Sequence, residues 1–119
     1  MNDNSPCYKL GRHVNSDPVP MDNLRLETST NCFYGLSYHH VELVKFESTQ
    51  DVDIITILFL NRTVRIKGKN LRNLGVALQM RGVESIKPMA ERYSSLSAGE
   101  DGWVKSIEIL EQKEGGHHA

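Results

Sequence analysis

The clearest apolar run of this chain lies in its middle. Ile54, Ile55, Ile57, Leu58, Phe59 and Leu60 follow one another without strict alternation. β-branched and aromatic types dominate, which predicts a strand over 52–60, buried on both faces and central in its sheet. Asn61-Arg62 interrupts the run, and asparagine accepts the positive φ of a tight hairpin, so a turn is predicted there. Beyond it Val64 and Ile66 point one way while Thr63, Arg65, Lys67 and Lys69 point the other, because strand side chains alternate. That is a half-buried strand with a basic outer face.

Gly68 is expected to end this strand and Asn70 to cap a helix, its side-chain oxygen accepting an unpaired N–H of the first turn. Leu71, Leu74 and Leu78 recur at helical spacing, Gly75 leaves room on the same stripe, and Gly82 stands where a left-handed C-cap is wanted. A short amphipathic helix of about three turns follows.

The remaining periodicities fill in the sheet. Leu24 and Leu26 alternate with Arg25 and Glu27, a strand to about Thr28, with a turn at Ser29-Thr30-Asn31. From Cys32 to Phe46 the apolar phase changes: Leu36 and Tyr38 keep one register, Val41 and Leu43 the other, and Val44 and Phe46 return to the first. A β-bulge re-aims side chains in that way. If Ser48-Thr49-Gln50-Asp51 closes a hairpin, this strand pairs antiparallel with 52–60. Val83 to Lys87, between Gly82 and Pro88, reads as a short edge strand. Met89 to Gly102 reads as a surface loop with a helical turn around Ala90 to Tyr93, and Trp103 to Ile109 recovers period two as a last strand.

These elements predict an α+β fold: a small, mostly antiparallel sheet of about six strands, rolled or closed into a partly open barrel, with one short amphipathic helix. Residues 1–23, polar and carrying Pro6, Pro18 and Pro20, read as an irregular N-terminal arm. Residues 24–111 form the single domain and 112–119 a polar tail. A chain of 119 residues buries about two thirds of the surface its unfolded form exposes, enough for its own core. No apolar run approaches the roughly 20 residues of a membrane span, and the N-terminus lacks the apolar core of a secretory signal. A cytoplasmic location is expected. Cys7 and Cys32, without CxxC spacing, are expected as free thiols.

Charge adds the main functional hint. The chain carries a net −1, yet residues 61–92 hold eight bases, Arg62, Arg65, Lys67, Lys69, Arg72, Arg81, Lys87 and Arg92, against Glu84 and Glu91, leaving +6. Arg62, Arg65, Lys67, Lys69 and Arg72 are the candidate binding residues: a basic strand followed by a helix N-terminus, whose dipole also favours anions. The partner expected is an acidic protein or an anionic ligand. A nucleic-acid backbone is the alternative, against which stand the acidic overall composition and the lack of stacking aromatics in the basic strand.

Catalytic signals are sparse. His39-His40 offers a general base or metal ligand, but neighbouring strand residues face opposite ways and no zinc spacing supports a metal. A small enzyme would need His39 or His40 beside a carboxylate such as Glu42 or Glu47. Cys32 reads as a buried, inert thiol, and His117-His118 as a polar end. No nucleophile elbow, dinucleotide fingerprint or P-loop is present, so no catalytic residue, metal or cofactor is assigned. Leu36, Tyr38 and Met89, read as exposed, together with the edge near Val83, make homo-oligomerisation a further expectation. The sequence predicts a non-catalytic binding or protein-interaction domain.

Overall fold

The computed structural model describes residues 7–11, 13–14, 17–90 and 102–111. Strands β1 (Tyr8–Leu10), β2 (His13–Val14), β3 (Asp17–Pro18), β4 (Asn23–Ser29) and β5 (Cys32–Ser37) lead to a 3-10 turn at Tyr38–His40. Then come β6 (Val41–Ser48), β7 (Asp53–Phe59), β8 (Arg62–Lys69), helix α1 (Arg72–Gln79), β9 (Val83–Ile86) and β10 (Trp103–Glu111). Two four-stranded sheets form, ordered β1-β9-β4-β5 and β10-β8-β7-β6, and β2 pairs with β3 as a separate ribbon. The fold is α+β and mostly antiparallel, with β4 and β9 the parallel pair.

The apolar run of the sequence is β7, flanked by β8 and β6. One of its faces is buried, through Ile55, Ile57 and Phe59, while Ile54, Thr56 and Leu58 are half-buried on the other. Burial on both faces was expected, but the helix and the first sheet cover one side. Val64 and Ile66 of β8 continue the buried face. They meet Leu24, Leu26, Leu36 and Ile86 of the first sheet and Leu74 and Leu78 of α1 in one shared core.

Eight strands in two sheets replace the single rolled sheet of about six. The extra strands come from two places. The Cys32–Phe46 stretch divides at the 3-10 turn, where Ser37 Oγ accepts the His39 N–H at 3.1 Å and the chain passes from one sheet to the other. The bulge expected there lies between Val41 and Leu43, which turns Val41 inward and Leu43 outward. Within the arm read as irregular, Tyr8–Leu10 pairs with β9, and Cys7 is fully buried, its sulfur accepting the Val104 N–H at 3.2 Å. β9 therefore lies inside its sheet, and the edge is β1.

Both helix caps differ from their sequence signals. The N-cap is Leu71, with no hydrogen bond to its own side chain, and Asp53 Oδ2, from the start of β7, accepts the Leu71 N–H at 3.0 Å. Asn70 instead takes the left-handed conformation, φ 57°. At the other end that conformation falls on Arg81, φ 61°, not on Gly82. The Gly82 N–H bonds the Ala77 carbonyl and the Arg81 N–H that of Leu78, the pairing of a Schellman motif. The β7–β8 turn comprises Leu60 and Asn61, and neither has positive φ. The helical turn expected around Ala90 to Tyr93, the rest of its loop and the polar tail fall largely outside the described residues. Among those described, no helix is long and apolar enough to cross a membrane.

Candidate functional site

Alternation along β8 divides the basic segment by parity. Arg65 and Lys67 lie outward, opposite in phase to the buried Val64 and Ile66. Arg62 falls on the inward phase at the strand's start, where its Nη2 approaches Glu111 Oε2 at 3.4 Å and its buried Nε has no hydrogen-bond partner. Lys69 lies at the far end, beside a polar depression of about 290 Å³ lined by Thr49, Asp51, Asp53 and Asn70. Arg72 opens α1 on the core side of the sheet, its guanidinium 5.2 Å from the centre of the Phe46 ring. The structure thus keeps Arg65, Lys67 and Lys69 on the outward phase of β8, Lys69 at its very end, and sends Arg62 and Arg72 elsewhere. The reason is mechanical: a strand sends neighbours to opposite faces, and α1 must sit on the inner face to bury Leu74 and Leu78.

Strand pairing then builds a surface around Arg65 and Lys67 that the basic segment alone did not define. The outward residues form rows running across β10, β8, β7 and β6. One row is Glu108, Arg65, Thr56 and Lys45. The next is Ser106, Lys67, Ile54 and Glu47. On the other side of the charged row lies an apolar one, Leu110, Thr63, Leu58 and Leu43, in which Leu110 is 46% and Leu43 47% exposed. Leu60, 54% exposed in the adjoining turn, extends it. Lys45 reaches Glu47 at 3.5 Å, and among the described residues Arg65, Lys67 and Glu108 form no ion pair. The first sheet presents a contrasting outer row of Lys9, Arg25 and Gly35, with a buried Ser85 between Lys9 and Arg25.

The sequence pointed to Arg65 and Lys67 but passed over Lys45, Leu43, Leu58, Glu108 and Leu110. Their outward phase was readable strand by strand. Their adjacency depends on which strands pair and in what register.

The other candidates lie apart from this face. His39 and His40 are exposed on the 3-10 turn rather than on a strand, and His39 Nε2 is 4.0 Å from Asp22 Oδ1. Neither lines the polar depression. No group of three or more His, Cys, Asp or Glu among the described residues is placed to hold a metal ion. Neither cysteine forms a disulfide; Cys32, expected to be buried, is exposed, and Cys7 is the buried one. Leu36 and Tyr38, read as exposed, are 8% and 4% exposed, and Met89 is half-buried against the core. Comparison with family models, curated proteins and solved structures returns no match.

Proposed function

We propose that this chain is a non-catalytic protein-interaction domain whose contact surface is the outer face of the β10-β8-β7-β6 sheet. The observation that carries the reading is the adjacency, on one open face, of the leucine row and the row containing Glu108, Arg65 and Lys45. Exposed apolar area supplies the driving force of association, and the cations beside it select a partner that presents carboxylates. The acidic partner of this domain meets Arg65, Lys67 and Lys45. Arg62 and Arg72 take no part, being engaged with Glu111 and Phe46.

A nucleic-acid backbone fits this face less well. Glu47 and Glu108 lie among its cations, and no aromatic side chain lies in its rows for bases to stack on. Cys32, exposed and outside any disulfide, suits a reducing compartment, and a cytoplasmic location belongs to the proposal. A photo-crosslinking amino acid placed at Leu58, and in a second variant at Lys9 on the other sheet, tests the reading in cells that make the protein. Polypeptide adducts at position 58 and none at position 9 are expected. Nucleic-acid adducts at 58, or no adduct there, would overturn it.

A further inference from the structure

The proposed interaction face has a symmetry in its chemistry that identifies its partner. When two copies of one surface stack, the two-fold axis relating them lies in the plane of contact. An axis parallel to the strands, between β7 and β8, keeps each row in place and reverses the order of strands within it. β10 then lies over β6 of the second copy, and β8 over β7. Glu108 meets the partner's Lys45, and Leu110 meets the partner's Leu43, each contact occurring twice. Thr63 meets the partner's Leu58, and Arg65 faces the partner's Thr56, so no like charges oppose. An axis across the strands that passes between the two charged rows would instead place Arg65 over the partner's Lys67, and one through the row of Arg65 would place Arg65 over its own copy.

Resting on the reading given above, we infer that the partner is a second copy of this chain, docked face to face about the strand-parallel axis. Of the carboxylates expected of an acidic partner, those of Glu108 then serve Lys45, while Arg65 and Lys67 lie opposite the partner's Thr56 and Ile54. Within one copy Glu108 lacks an ion pair among the described residues, and Lys45 has only its half-exposed neighbour Glu47. Aligned sheets cross at about −30°, which offsets the outer strands by a few ångströms, within the reach of lysine, glutamate and leucine side chains. The footprint is small. Four strands about 4.8 Å apart and six residues rising about 3.4 Å each cover about 400 Å² on each copy, about half the area of a standard specific interface, so a weak, transient dimer is expected.

Sedimentation equilibrium of the full chain, from about 1 to 500 µM and at low and high salt, tests the inference. The unmodified chain should dimerise, more weakly as salt rises. Lys45→Glu and Glu108→Lys, each placing two like-charged pairs in the contact, should weaken the dimer at least about tenfold. The double variant K45E/E108K should recover it to within about threefold, because the pairs are restored with sign exchanged. All three are surface changes, and unaltered circular dichroism spectra confirm folding. A monomer at 500 µM, single variants that dimerise like the parent, or a double variant that stays monomeric would overturn the inference. In the first case, crosslinks from position 58 to other polypeptides would leave the interaction-domain reading standing and replace its partner. Absence of any crosslink would remove both.

Discussion

Tyr38 shows how one residue carries both packing and pH dependence. It is 4% exposed and its hydroxyl donates to the Val83 carbonyl at 2.7 Å, tying the 3-10 turn to β9. Burial pushes its pKa up to about 12, with the Arg81 charge acting the other way. Below pH 10 or so folded and unfolded chains both hold the proton, and the contribution to stability is complete. Between about 10 and 12 the unfolded chain ionises first, so stability falls by up to about 1.4 kcal/mol per pH unit. Tyr38→Phe should cost about 1 kcal/mol at pH 7. It also lacks the alkaline loss, so urea titrations of the two proteins should converge above pH 10. A gap unchanged at pH 11 would contradict this account. Arg81 offers a second contrast. Its left-handed backbone disfavours any side chain, yet its Nη2 and Nε bond the Met21 carbonyl at 3.1 and 3.3 Å. Arg81→Ala keeps the strain and loses those bonds, whereas Arg81→Gly loses the bonds but relieves the strain. The alanine variant should be the less stable by about 1 kcal/mol in chemical denaturation.

At the scale of elements, α1 is eight residues long and depends on groups outside itself. Asp53 holds its first turn, with Oδ2 on the Leu71 N–H and Oδ1 accepting the Ser48 hydroxyl at 2.7 Å. One carboxylate thus joins β6, β7 and the helix. Asp53→Ala should destabilise the protein by about 1–2 kcal/mol, and Asp53→Asn, which keeps an accepting oxygen, by less. Thermal melts of the three proteins check the order. The helix itself was legible in its leucine spacing, as were β4, β8 and β10 in their alternation and β7 in its unbroken apolar run. The caps were not, because Asn70 and Gly82 give the standard signals while the bonding is settled by where β7 and the Met21 segment pass. β1 was hidden for a related reason: a three-residue strand carries too little period to be seen, and it is held by a neighbour from the far half of the chain.

For the whole molecule, self-association through the open face of the second sheet, as inferred above, would make stability and association one equilibrium. A dimer that forms from the folded chain alone stabilises it by mass action. Raising the protein concentration from about 2 to about 200 µM should lift the melting midpoint by a few degrees for the parent chain and not for Lys45→Glu. A midpoint independent of concentration in both would argue against association through this face. The basic segment shows what the charge pattern could and could not say at this scale. Local excess of positive charge was plain, and Arg65 and Lys67 do share a face. Arg62 joins Glu111, 49 residues away, and Arg72 goes with the helix to the core side.

The order of residues by itself determined the α+β class, the strand-strand-helix succession from Asp53 to Gln79, and which side chains of β4 and β8 face inward. Those follow from local sterics and from the exclusion of apolar groups from water, both of which act within a few residues. Tertiary structure alone decided that there are two sheets, that β9 runs between β1 and β4, and that Leu43, Lys45, Glu108 and Leu110 share a surface with Arg65. Those facts rest on hydrogen bonding between distant strands, whose partners no local period encodes.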